Sequence, residues 1–305
     1  MKVWRGFNRD CTVRRSFLAG HLLAVAVAAL VLLPSASAGG GVFSWSAPVL
    51  IDQHVPSGGR AMTAVACPSA IQCTAVDSTG QEVTFDPASP GTPVAVTIDS
   101  GGSFNSVSCP ATSQCTAVDS AGEEVTFNPV SPGHPTPAMV DSGIALKGIS
   151  CPSVSSCTAV GGGIEVTFNP VSPGAPAVVP IKSYYNEANL TGIACPSTSQ
   201  CTAVGLGEEV TFDPASPATP TALLLDVNSS FDALDCPSTA QCTAVGSDIE
   251  GVEATFDPLT YSPGDATSVA IDTATEPLVG TACATTSQCV AVDEGGEEST
   301  FNPIS

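Results

Sequence analysis

Basic residues are scarce in this sequence: 8 Lys and Arg stand against 29 Asp and Glu, a formal net charge of −21 over 305 residues. Such a surface repels nucleic acid and anionic lipid and favours cations or basic partners. Aromatic residues make up only 5% of the chain. Apolar residues do not recur at helical spacing, which argues against a helical bundle or coiled coil. Phosphate-cradling loops, haem-attachment motifs and zincin helices are all missing. Of three histidines, His21 falls in the leading apolar segment, while His54 and His134 have no identifiable nucleophile partner. No Ser-His-Asp set can be assembled from them.

The first 38 residues read as a secretory signal peptide. Lys2, Arg5, Arg9, Arg14 and Arg15 precede an apolar run from Leu22 to Leu33, which ends at Pro34 and the small-x-small site Ala36-Ser37-Ala38. Arg14-Arg15-Ser16-Phe17-Leu18 resembles a twin-arginine export motif, and the Leu/Val-rich core suits the general secretory route as well. Removing this segment leaves Arg60, Lys147 and Lys182 against 28 acids, a net charge of −25. Residues 39–42 read as a short linker and 43–305 as one domain. The expectation is a secreted, extracytoplasmic monomer with no membrane attachment after cleavage.

Cysteine is plentiful, and it is patterned. Pairs six positions apart occur at Cys67/Cys73, Cys109/Cys115, Cys151/Cys157, Cys195/Cys201, Cys236/Cys242 and Cys283/Cys289. Successive first cysteines lie 42, 42, 44, 41 and 47 residues apart. A second marker, Thr-Phe-(Asp/Asn)-Pro, places Phe85, Phe127, Phe168, Phe212, Phe256 and Phe301 in step with them. A period of this length fits one four-stranded propeller blade per repeat. In the second repeat, Phe104–Cys109, Cys115–Asp119, Glu124–Asn128 and Pro137–Asp141 read as strands A to D, each short, rich in Val, Thr or Phe and bounded by turn formers. Trp45–Asp52 reads as a strand D without a blade before it, and Phe301–Ser305 follows a strand C without a D after it. The expected fold is all-β: a six-bladed β-propeller of four-stranded blades, closed by the N-terminal strand completing the last blade.

The two cysteines of each repeat flank a five-residue A–B loop, which brings them opposite one another on adjacent strands. One hairpin disulfide per blade is therefore expected. A loop of seven residues gives about 2.4 kcal/mol per bridge in the chain-entropy account. The thirteenth cysteine, Cys11, lies in the signal peptide, so the mature count is even. Zinc knuckles space their cysteines more closely and need four ligands converging, which pairs on separate blades do not supply.

Repeats of the form (Ile/Val)-(Ser/Ala)-Cys-Pro-Ser-x-x-x-Cys-(Thr/Val)-Ala-Val-(Gly/Asp) resemble those of secreted bacterial propeller proteins. These are similar in turn to sialidase-like and photosystem-assembly-factor-type propellers. The resemblance runs from Phe43 to the end and implies the fold. It does not imply sialidase chemistry, because Thr-Phe-(Asp/Asn)-Pro-x-Ser-Pro-Gly stands where those relatives carry an aspartate-box turn.

Propeller geometry sends B–C and D–A loops to one end of the molecule. Of the 28 mature acids, 23 lie at or near such loops. Asp86, Asp213, Asp257 and Asp265 fall in C–D turns, and Asp235 lies beside a cysteine. Glu123, Glu124, Glu208, Glu209, Glu297 and Glu298 are the candidate binding acids, joined by Tyr184 and Tyr185 in a longer D–A stretch. No cofactor is expected. Calcium is the cation such carboxylates suit, although no Asp-x-Asp-x-Asp-Gly loop is present. The leading reading is a non-enzymatic binding or scaffold propeller for an extracellular glycan, cation or basic protein. A polysaccharide hydrolase or lyase using two face carboxylates, and a structural envelope or matrix protein, are the alternatives.

Overall fold

The computed structural model describes residues 51, 62–184, 189–216, 218–263, 265–272 and 276–304. Residues 1–38, read from sequence as a signal peptide, residues 39–42, read as a linker, and all of Trp45–Asp52 except Ile51 lie outside them. The described residues form six antiparallel sheets in simple meander order. Blade 1 holds β1 (Met62–Ser69), β2 (Gln72–Asp77), β3 (Gln81–Phe85) and β4 (Val96–Thr97). Blade 2 holds β5 (Phe104–Ala111), β6 (Gln114–Asp119), β7 (Glu123–Phe127) and β8 (Ala138–Met139). Blade 3 holds β9 (Gly148–Ser153), β10 (Ser156–Gly161), β11 (Ile164–Phe168) and β12 (Val178–Pro180), and blade 4 holds β13 (Leu190–Ser197), β14 (Gln200–Gly205), β15 (Glu208–Phe212) and β16 (Leu223–Leu224). Blade 5 holds β17 (Ser230–Ser238), β18 (Gln241–Ser247), β19 (Gly251–Phe256) and β20 (Val269–Asp272). Blade 6 shows three strands, β21 (Leu278–Thr285), β22 (Gln288–Asp293) and β23 (Glu298–Phe301).

The expected propeller of disulfide-bearing blades is present. Bonds join Cys67 to Cys73, Cys109 to Cys115, Cys151 to Cys157, Cys195 to Cys201, Cys236 to Cys242 and Cys283 to Cys289, with Cα atoms 4.0 or 4.1 Å apart. The hairpin differs in one respect from the five-residue loop read from sequence. Strands A and B run beyond the cysteines to pairs such as Ser69–Gln72 and Ala111–Gln114, with a register shift at the first cysteine. In blades 1 to 5 the proline after the first cysteine sits in that bulge, where its missing ladder hydrogen bond costs nothing extra.

The second cysteine of each pair is consequently an interior strand residue and does not border an open loop, which corrects the sequence reading. Cys73, Cys115, Cys157, Cys201, Cys242 and Cys289 each stand one residue inside strand B and are 0–3% exposed. Each lies opposite the phenylalanine of its own strand C, as in Cys73–Phe85, Cys201–Phe212, Cys242–Phe256 and Cys289–Phe301. That pairing is why the cysteine and Thr-Phe markers keep step along the sequence. The neighbouring blade covers the sulfur: Cys157 Sγ lies 3.9 Å from the Thr116 hydroxyl of blade 2, and Cys289 Sγ lies 3.9 Å from the Thr243 hydroxyl of blade 5.

Strand B explains the small residues of the repeat. In blade 2, Cys115, Thr116, Ala117, Val118 and Asp119 are all buried, on both faces of the sheet. Each blade is sandwiched between neighbours, and short side chains let the sheets approach. Val118 packs forward onto Leu146, Ile149, Cys157 and Val166 of blade 3, and Val160 packs forward onto Leu190 and Ile193 of blade 4. Hydrogen bonds stitch the disulfide end around the ring. Gln72, Gln114, Gln200 and Gln241 each donate from Nε2 to a carbonyl at the next hairpin tip, at 2.8–2.9 Å. The backbone N–H groups of Cys151 and Cys195 donate to Ser108 and Ser150 of the preceding blades.

Five such seams join blades 1 to 6, and the described residues form no sixth. Val65 aligns with Val107, Ile149, Ile193 and Leu234, all 9% exposed or less, yet Val65 is 59% exposed. Met62 aligns with the buried Phe104, Leu146, Leu190, Phe231 and Leu278 and is itself 38% exposed. On the other side, Val292 is 42% exposed where Val76, Val118, Val160, Val204 and Val245 are fully buried.

Candidate functional site: the acidic end and the seams behind it

In blades 1, 2 and 6 the B–C turn is built by an aspartate closing strand B. Asp119 Oδ1 accepts the backbone N–H groups of Ala121 and Glu123 at 2.9 and 2.7 Å, and Asp77 Oδ1 accepts those of Thr79 and Gln81 at 2.8 and 2.9 Å. These bonds satisfy donors that the tight turn leaves without ladder partners. Gly122 completes the turn with φ +87°, and a Cβ there would stand 2.1 Å from the Asp141 carbonyl oxygen. Its own carbonyl accepts the N–H groups of Val140 and Asp141, which ties strand D into the same corner. B–C turns and D–A connections thus interlock at one end of each blade.

The six candidate glutamates divide between surface and interior. Glu297 and Glu298 are exposed, and Glu123 is half-buried. Burial raises the Glu123 carboxyl above the usual range, and the neighbouring carboxylates of Asp119 and Asp99 add to the shift. Glu124, Glu208 and Glu209 are buried, so they do not belong to the solvent face on which the sequence reading placed them. The reason is the two-residue period of strand C. In β7, Glu123 lies at the rim of the turn, and the next residue points into the seam towards blade 3. Glu208 is instead held at the rim of blade 4, where Ser183 Oγ donates to its Oε1 at 2.8 Å.

The buried glutamates form a motif that the sorting of acids by loop overlooked. Glu82, Glu124, Glu165, Glu209 and Glu253 occupy one position in five consecutive blades, each 1–6% exposed. Each accepts a hydrogen bond from the threonine two residues on, at 2.7–3.1 Å. That hydroxyl also bonds a strand-B threonine, as in Thr116–Thr126 and Thr202–Thr211, both at 2.9 Å. Desolvation pushes the carboxyls of Glu82, Glu124, Glu165 and Glu209 up to about 7, against a smaller opposing effect of the threonine hydrogen bond. The shared Glu-x-Thr-Phe spacing of strand C was the signal that could have found them.

Tyr184 is 61% exposed, and Tyr185 lies outside the described residues. Tyr261, the other tyrosine outside the repeat, is buried: its hydroxyl donates to the Leu224 carbonyl at 2.7 Å, and its ring meets Phe256 at 5.5 Å. It covers a blade edge. His134 is exposed in a C–D turn, and His54 lies outside the described residues. An open recess at the seam of blades 4 and 5 is lined by Leu206, Val227, Ser229, Ser247 and Asp248, at the end of the B–C and D–A connections. Leu206 and Val227 are exposed apolar residues in its lining.

No protein-family model matches the chain, and no curated protein matches it. Solved structures do. One described as the structure of U3-55K and one described as the crystal structure of RRP9 WD40 repeats each match with a TM-score of 0.65 and 8% identity. The matches cover 80% of this chain and 77% and 76% of those chains. At that identity the likeness shows the fold alone, a β-propeller.

Proposed function

We propose that the chain is a secreted, non-enzymatic binding or scaffold propeller, and that its B–C/D–A end receives a basic protein segment. The observation that carries this reading is the company kept by the open recess. Leu206 and Val227 offer apolar area there, and the exposed Asp248 lines the same recess. Apolar contact supplies affinity while the acids steer a cationic partner and reject anionic ones. The WD40-like scaffold fits such a role, and six intrachain disulfides fit an oxidising extracellular compartment.

Binding of the purified mature protein to a library of Lys/Arg-rich peptides, with a glycan array in parallel, tests the proposal. Peptide binding that weakens with salt and falls at least tenfold in the Val227→Asp and Asp248→Asn variants is the expected result. Exclusive glycan binding, or turnover of a polysaccharide, would assign the face to another chemistry.

A further inference from the structure

Two seams carry the same three carboxylates at their outer rim. Between blades 1 and 2 these are Asp99, Asp119 and Glu123; between blades 5 and 6 they are Asp272, Asp293 and Glu297. In each set, one oxygen from each residue lies within 4.8 Å of the others. The positions correspond: the end of strand D, the end of strand B in the next blade, and the start of its strand C. The repeat itself does not demand them. Blades 3, 4 and 5 carry Gly161, Gly205 and Gly246 where Asp119 and Asp293 stand, and neighbouring backbone carbonyls fill the space a Cβ would need.

A cluster of acids is ordinarily a solvated surface, but here an oxygen has been removed from water with nothing to bond it. Asp293 is 6% exposed. Its Oδ1 accepts the Glu297 N–H at 2.6 Å, and its Oδ2 is buried without a hydrogen-bond partner. In the other cluster Asp99 is half-buried; its Oδ1 accepts the Gly101 N–H at 2.9 Å, and its Oδ2 atom is shielded from water and unpartnered. A buried carboxylate oxygen left unsatisfied beside two more carboxylates is costly unless a cation occupies the space between them. The seam of blades 4 and 5 solves the same problem differently. There Asp226 Oδ2 accepts from Ser268 and Ser229 hydroxyls at 2.5 and 3.1 Å, and its Oδ1 accepts the Asn228 N–H.

We infer that Asp99/Asp119/Glu123 and Asp272/Asp293/Glu297 are two equivalent inter-blade sites for a hard divalent cation, with calcium the best fit. Calcium takes several carboxylate oxygens at once in flexible geometry, whereas magnesium usually binds through one or two carboxylates and keeps several waters. Each ion would bridge strand D of one blade to the B–C turn of the next. The inference is independent of which partner docks on the face.

Calcium titration calorimetry on the EDTA-treated full mature chain at physiological salt tests it, with terbium luminescence as a second readout. Two equivalents of calcium are expected, with a raised melting temperature. Asp293→Asn and Asp119→Asn should each remove one equivalent, and the double variant both. Glu297→Gln and Glu123→Gln, at less buried positions, should weaken the respective sites at least tenfold while leaving the fold intact by circular dichroism. Asp141→Asn, whose Oδ2 is also buried and unpartnered but whose blade-3 counterparts are Gly161 and Ile164, should change nothing. Uptake absent from the wild-type chain, uptake abolished by salt alone, or uptake unchanged in the double variant would overturn the assignment.

Discussion

Glu123 and Glu124 are adjacent acids in one turn, and they meet opposite fates. One stays at the rim, while the other is enclosed between blades with Thr126 as its partner. The face that blade 3 presents to it carries Cys157, Ala159, Val166 and Phe168, none of which offers a compensating charge. Desolvation therefore dominates, and the carboxyl holds its proton up to about pH 7 where a free glutamate loses it near 4.5. The folded state then binds more protons than the unfolded state between those values, so stability falls as pH rises through this window. Below about 4.5 the contribution is fully present, and above about 7 the loss is complete. Each such group contributes a slope of about 1.4 kcal/mol per pH unit. Denaturant titrations from pH 4 to 8 should show this decline. Glu124→Gln should remove one proton's worth of it, so the variant's relative stability increases with pH. Parallel curves for variant and wild type would contradict the assignment.

Strand identity was legible at the level of elements because each blade repeats the same local instructions. Val-Thr-Phe makes strand C, Cys-Thr-Ala-Val makes strand B, and a positive-φ glycine such as Gly122 turns between them. The hairpin cysteines were read as partners from spacing alone, and all six pairs are bonded. Where the strands continue past the cysteines was not legible, since Pro beside the first cysteine argues locally for a strand end. Nor was the burial of Cys73, Cys201, Cys242 and Cys289, which strand B owes to that continuation and to the sheets beside it. The hairpin tip gains from partners on the next blade, such as Gln114 on the Val154 carbonyl. A disulfide enclosing so few residues stabilises one hairpin. Replacing both Cys109 and Cys115 by Ser should therefore cost no more than about 2.4 kcal/mol from the lost cross-link, read in a denaturant melt. A loss of several times that value would mean that the bridge also orders the neighbouring blades.

At the scale of the whole molecule, the described residues leave one face of blade 1 and one face of blade 6 uncovered. Ile51 has the bend of a residue near the end of strand D, where the buried Ile98 and Val140 stand in blades 1 and 2, is itself half-buried, and is followed by an aspartate as they are by Asp99 and Asp141. By that alignment Val49 and Leu50 should pair with Glu298 and Glu297, in the register seen for Ala138–Met139 against Glu124–Glu123. Hydrogen exchange on the mature chain should show amides of Val49–Ile51 protected to the level of β8, and deleting residues 39–52 should raise exchange in β23. Free exchange of that segment would leave the sixth blade three-stranded in solution.

By itself the sequence determined what local chemistry controls: the count of blades, the strand order within each and the pairing of cysteines, because these depend on residues within one repeat. It also established the acidic balance of the chain, which is a sum. Only the tertiary structure decided which acids reach water, since Glu123 and Glu124 differ by which side of a strand they leave from and by what the next blade places there. It alone distinguished Val65 from Val107, two residues in the same local setting. Burial belongs to the neighbouring blade, and a repeat carries no information about whether its neighbour is present.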